Sequence, residues 1–195
     1  MPRAHGAVSV KDVTFALNDF VKLFEELGIP YAVLGGIAVR YFGIPRPTYA
    51  VDFIVTIHRD ELPKLYQAAE TAGYTVPEAF HQGWIDVVGG MPLVRMELFI
   101  GNKSIDIDLF LAESEFQFEV MRRRRREEME GVAVWLVTPE DLIHLKLMSF
   151  RPRDVADIGD ILFAQGQLDE DYMRTWADLM GTRSRLDQIL AESTL

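Results

Sequence analysis

The chain has 195 residues, 49% hydrophobic and 26% charged, with a formal net charge of −10. That length supports one domain with a sizeable core, and the acidic balance disfavours non-specific adhesion to nucleic acid or anionic membrane while leaving room for a local basic groove. Cysteine is absent, which excludes a disulfide framework and a thiolate metal site, and no apolar run is long enough to predict a transmembrane helix.

The opening Met1-Pro2-Arg3-Ala4-His5-Gly6 lacks the apolar stretch of a secretory signal, so a cytoplasmic protein is expected. Ser9 to Leu27 reads as an amphipathic helix, with Val13, Leu17, Phe20, Val21, Phe24 and Leu27 on one stripe. Ser9 and Asp12 resemble a capping box, and Gly28 with Pro30 ends the helix. Tyr31–Leu34 then reads as a strand, and Gly35-Gly36-Ile37-Ala38 turns into a short helix reaching Phe42. Paired glycines after a strand let backbone N–H groups approach a phosphate, and a helix N-terminus adds the positive end of its dipole. Gly43-Ile44-Pro45-Arg46-Pro47 can be neither helix nor central strand. Arg46 there is either a solvated loop arginine or a bidentate phosphate clamp.

A second strand, Tyr49–Ile57, carries Asp52 inside Val51-Asp52-Phe53-Ile54-Val55. Burying a carboxylate in such a strand is costly unless compensated, and a divalent cation is the usual compensation. The plainer alternative is a tight turn and an edge-strand aspartate facing water. Period-2 geometry places Ala50, Asp52, Ile54 and Thr56 on one face. A two-metal site would want a carboxylate at position 50, where this chain has alanine.

Asp60 to Ala72 reads as a helix capped by Asp60 and stopped by Gly73. Tyr74 to Gly90 reads as loop-rich, with Phe80 and Trp84 folded over the core edge. Leu93–Ile100 and Ser104–Leu111 form a hairpin around Gly101-Asn102-Lys103. Asp106 and Asp108 share one face of its second strand: either a wet side, or one of them joins Asp52 on a common metal. Glu113 to Arg126 reads as a helix ending in the arginine run Arg122–Arg126. That run is either a solvated face favourable to the helix dipole or a contact for a polyanion.

Val132–Val137 is a strand, and Thr138-Pro139-Glu140-Asp141 starts a helix to Met148 on which Lys146 interrupts an apolar surface. Helices follow from Arg151 to Gln165, bearing Asp154 and Asp157, then over Asp169–Met180 and Thr182–Glu192. The expected fold is α+β: a mixed β-sheet lobe flanked by helices over 1–137, and a helical lobe over 138–195 packed on it without a long linker. A cleft between them is the expected ligand site.

The ordered set Gly35-Gly36-Ile37-Ala38, Arg46-Pro47-Thr48, the strand holding Asp52, Asp108-Leu109-Phe110-Leu111, Pro139-Glu140-Asp141-Leu142 with Leu145-Lys146-Leu147, and Arg151-Pro152-Arg153-Asp154 with Asp157-Ile158 resembles the minimal nucleotidyltransferases of the DNA polymerase β superfamily. Within it the chain is similar to the AbiEii-like group, which includes toxin components of toxin–antitoxin pairs. The resemblance spans roughly residues 30–165. It implies a nucleotidyltransferase sheet lobe, Mg²⁺, and a nucleoside triphosphate whose NMP passes to a hydroxyl of RNA, tRNA included, or of protein. A cognate antitoxin is the partner such a toxin implies, and no membrane is involved. Carried over by position, Asp52, Asp108 and Lys146 are the catalytic candidates. Gly35, Gly36, Arg46, Thr48, Asp154 and Asp157 are the nucleotide-binding ones, and Asp52, Asp108 and Asp106 the metal-binding ones.

The departure is Ala50, where similar chains carry the first acid of Asp-x-Asp. Loss of a metal-bridging carboxylate is expected to strip most transfer activity. Three accounts compete: an introduced inactivating change, a natural pseudoenzyme that still binds nucleotide, or rescue of the metal site by Asp106. Survival of every other motif favours the first two.

Overall fold

The computed structural model describes residues 9–129 and 131–193, so the opening hexapeptide lies outside the described residues. In chain order these form α1 (Val10–Leu27), β1 (Tyr31–Leu34), α2 (Gly35–Phe42), β2 (Ala50–Val55), a 3-10 turn (Arg59–Glu61), α3 (Leu62–Thr71), α4 (Glu78–His81), β3 (Asp86–Val88), β4 (Met91–Ile100), β5 (Lys103–Leu111), α5 (Glu115–Arg123), β6 (Arg125–Met129) and β7 (Val132–Leu136). Four helices follow: α6 (Pro139–Ser149), α7 (Pro152–Gln165), α8 (Glu170–Leu179) and α9 (Arg183–Ser193). The strands make one mixed sheet in the order β3-β4-β5-β2-β1-β7-β6.

Local chemistry accounts for most element ends. The α1 capping box is formed, Ser9 accepting from the Asp12 N–H and Asp12 from the Ser9 N–H, and Gly28 closes the helix in the left-handed conformation. The α1 stripe covers one sheet face through an aromatic cluster in which Phe24 meets Phe53 edge-on, ring centroids 5.0 Å apart, and stacks on Tyr31 at 5.2 Å. Phe20, Phe24 and Phe53 are fully buried, each contributing about 2–3 kcal/mol of hydrophobic stabilisation before entropic costs.

The middle of the sheet positions the polar residues. β2 pairs antiparallel with β1, setting Asp52 opposite Leu34, and parallel with β5, setting Asp52 beside Asp108 and Ala50 beside Asp106. β4 pairs antiparallel with β5, setting Arg95 beside Asp108. β1 pairs in parallel with β7 on its other side. From β7 the chain enters α6, buried from Pro139 through Leu147, which packs on α7 and α8 while α2 packs on α7.

Several expectations are corrected. The helix read to Arg126 ends at Arg123, and Arg125–Met129 is edge strand β6, paired with β7. Edge pairing wins there because β7 offers its open backbone donors and acceptors to a segment of largely exposed charged side chains. The stretch 74–90 contains α4 and β3, and Trp84 is 60% exposed rather than folded on the core. Phe80 does pack against the core. Asp60 does not cap a helix: it sits in the 3-10 turn, and α3 begins without a side-chain cap. The hairpin turn is shorter than read, since Lys103 pairs with Ile100 and only Gly101-Asn102 turn, with Gly101 at φ +60°.

Candidate functional site

The β1–α2 junction is built for close approach. Gly35 has φ +65°, and a Cβ there would lie 2.0 Å from Asp52 Oδ2. A Cβ on Gly36 would lie 2.5 Å from Thr48 Oγ1. The Gly36 N–H donates to the Asp52 carboxylate, and Thr48 Oγ1 donates to the Ala50 carbonyl at 3.3 Å. The two glycines thus bring the start of α2 onto the carboxylate-bearing end of β2.

Beside Asp52, across the sheet, Asp108 is buried and paired in a fork with Arg95: Nε to Oδ1 at 2.6 Å and Nη2 to Oδ2 at 2.7 Å. Arg95 Nη1 lies 3.9 Å from Asp106 Oδ2. Burial, and secondly the charge of Asp108, push the Asp52 carboxyl up to about 6, against the Gly36 N–H and the charges of Lys146 and Arg95.

The opposite wall comes from α6 and α7. Lys146 donates from Nζ to Asp157 Oδ2 at 2.6 Å and Asp154 Oδ1 at 3.3 Å. Arg46, from the loop before β2, makes a second fork on Asp157 at 2.6 and 2.7 Å. Burial raises the Asp157 pKa, but hydrogen bonds from Arg46 and Lys146 outweigh it and hold the carboxyl below the usual range. Asp154 follows the same balance: it accepts from Ser149 Oγ at 2.8 Å and from Arg151 Nε at 2.8 Å, and closes the α7 capping box through the Arg151 N–H.

Between these walls lies a cleft of about 370 Å³. Gly35, Gly36, Arg46, Thr48, Asp52, Asp106, Lys146 and Asp154 of the expected residues line it, with Ala50, Tyr49, Arg151 and Arg153. Asp108 and Asp157 do not line it; each is buried behind it against an arginine. A larger cavity of about 640 Å³ lies elsewhere, between α7, α8 and α9, with a mixed lining in which Leu162, Phe163, Met173 and Leu190 meet Glu170, Arg174 and Asp187. The arginine run lies outside the cleft and is largely spent in pairs. Arg122 forks onto Glu119, Arg123 contacts Asp141 and Glu140, Arg124 covers the Trp135 ring, and Arg126 reaches Glu25.

Sequence reasoning missed Arg95. Its signal was present: Arg95 and Glu97 are alternate charges on β4, facing Asp108 and Asp106 across the hairpin.

The residues present do not fit a two-cation site. Ala50 offers no ligand, and both Asp108 oxygens accept from Arg95. Among the described residues, no group of three His, Cys, Asp or Glu side chains is arranged to hold a metal ion.

The mixed sheet and its flanking helices define a nucleotidyltransferase-like fold. An antigenic nucleotidyltransferase-like protein from Paracoccidioides brasiliensis superposes with a TM-score of 0.57 at 19% identity, over 95% of each chain. The antibiotic-resistance factor ANT(2'')-Ia, solved with adenylyl-2''-tobramycin, gives 0.57 at 13% identity over 91% of this chain and 99% of its own. A putative nucleotidyltransferase from Thermotoga maritima gives 0.52 at 11% identity over 80% and 94%. At these identities the likeness is one of fold. No protein-family profile and no curated protein matches the sequence.

Proposed function

We propose that this chain binds a nucleoside triphosphate in the cleft, on a fold whose family chemistry is transfer of NMP to an RNA or protein hydroxyl, and that transfer is impaired here at Ala50. The observation that carries the reading is convergence. One cleft gathers a glycine-opened helix start, the Asp52 carboxylate, and the cations Arg46, Lys146, Arg151 and Arg153. Backbone N–H groups and arginine forks are the usual phosphate donors. Arg151 is paired with buried Asp154 but its side chain is 66% exposed, and Arg153 is exposed and bonded to the Pro47 carbonyl, so both keep further N–H groups for an incoming phosphate. Pairing of the arginine run favours a protein or small-molecule acceptor over RNA.

Calorimetric titration with each of the four common nucleoside triphosphates tests the binding. Saturable heat with one of them, lost in Gly36→Val, is expected; no heat with any overturns the reading. The impairment is tested with Mg²⁺, α-labelled triphosphates and total tRNA or cell lysate. The unaltered chain is expected to label nothing, and labelling by it removes that part of the proposal. Labelling by Ala50→Asp, with Arg95 present or changed to Gln, supports the family chemistry.

The AbiEii-like and toxin parts rest on the sequence resemblance alone. Growth arrest on expressing Ala50→Asp, but not the unaltered chain, is their test. A second reading, an inert nucleotide- or partner-binding module, is favoured by the Arg95–Asp108 pair.

A further inference from the structure

We infer that the Arg95 guanidinium is the resident counter-ion of the cleft carboxylates, standing where a divalent cation would be needed, so that the cleft takes its triphosphate free of metal. The triphosphate half rests on the nucleotide-binding reading above; the cation half stands on the side chains alone.

Three adjacent strands set two cross-strand rows: Asp52, Asp108 and Arg95 in one, Ala50, Asp106 and Glu97 in the next. Arg95 takes both Asp108 oxygens at 2.6 and 2.7 Å, lies 3.9 Å from Asp106, and stands in the same cross-strand row as Asp52, with Asp108 between them. Two of the three carboxylates therefore answer to one guanidinium, and Asp52 stands beside that pair. Mg²⁺ demands oxygen ligands at about 2.0–2.1 Å in near-octahedral array. Reaching that array here means breaking a bidentate, charge-assisted pair and seating a dication beside a fixed cation. Alanine at position 50 removes the further negative charge and ligand that would have favoured the exchange.

Arg95 itself does not line the cleft, so it acts on the site through Asp108 and Asp106 and leaves the phosphates to the cations that do line it.

The test is a Mn²⁺ titration of the full chain followed by electron paramagnetic resonance, without nucleotide. The unaltered chain is expected to leave the free-ion spectrum unchanged to about 1 mM Mn²⁺, the upper end of the range of ordinary weak sites. Arg95→Gln is expected to bind Mn²⁺ at least about tenfold more tightly, and adding Asp52→Asn to reverse the gain. Arg95→Lys keeps the charge and is expected to stay metal-free; it decides the matter with the unaltered chain where the Gln variant fails to fold by circular dichroism. Sub-millimolar Mn²⁺ binding by the unaltered chain that Asp52→Asn abolishes, or no gain in folded Arg95→Gln, overturns the inference.

Calorimetry separates the two proposals. Equal triphosphate affinity in EDTA and in Mg²⁺ supports the inference. Binding only with Mg²⁺ overturns it and leaves the nucleotide reading intact. No binding in either medium overturns the nucleotide reading and with it the triphosphate half, while the Mn²⁺ titration still decides what Arg95 does.

Discussion

Gly35 is the position least open to change, because two constraints meet there. Its φ of +65° disfavours any L side chain, and a Cβ would fall 2.0 Å from Asp52 Oδ2, on a carboxylate held by the Gly36 N–H. Gly35→Ala is expected to cost about 2 kcal/mol or more and to weaken triphosphate binding, read from urea unfolding and calorimetry. His144 supplies a pH dependence. Its ring is fully buried between Phe116 and Tyr172, and burial, then the Arg123 charge, lowers its pKa to about 4 from 6.5. A folded value below the unfolded one means that the native state resists protonation. The contribution is complete above pH 6.5 and is lost as pH falls toward 4, on the order of 3 kcal/mol in all. His144→Leu is expected to flatten this part of the acid limb; equal loss of stability between pH 7.5 and 4.5 in both forms counts against it.

Helix α6 carries Lys146 to the cleft, so what anchors its start matters to the site. Thr138 accepts from the Asp141 N–H at 3.3 Å and donates to Asp141 Oδ2 at 2.8 Å, with Tyr172 completing the cluster. Thr138→Ala is expected to cost about 1–2 kcal/mol in chemical denaturation, and Thr138→Ser to keep most of it. This cap was legible in Thr138-Pro139-Glu140-Asp141, as was the α1 box in Ser9 and Asp12, because capping is settled within three residues. Strand β6 was not legible. Its arginines and glutamates suit a helix surface as well as a charged edge strand, and only the open edge of β7 decides between them.

Across the whole molecule, one buried triad ties the parts together. Asp157 of α7 holds Lys146 of α6 and Arg46 of the loop before β2, at 2.6 Å each. Asp157→Asn removes the charge both cations face, with an expected cost of about 3–5 kcal/mol. The loop at 43–49 is expected to become sensitive to limited proteolysis in that variant. A midpoint of unfolding within error of the unaltered chain shows that the triad adds nothing net. Because Lys146 and Arg46 are engaged in this triad, a bound phosphate competes with Asp157 for them.

Most of the chain order of helices and strands, the caps at Ser9 and Thr138, and the glycine turn could be read without coordinates. Each depends on a hydrophobic period or on chemistry within a few positions. The pairing of the site residues could not be read that way. Arg46 meets Asp157 across 111 positions, and Asp108 receives Arg95 only because a two-residue turn sets the hairpin register. A carboxylate in a strand has the same sequence signature whether a metal ion or a guanidinium neutralises it. Which of the two stands beside Asp108 depends on strand register, and strand register is a property of the assembled sheet.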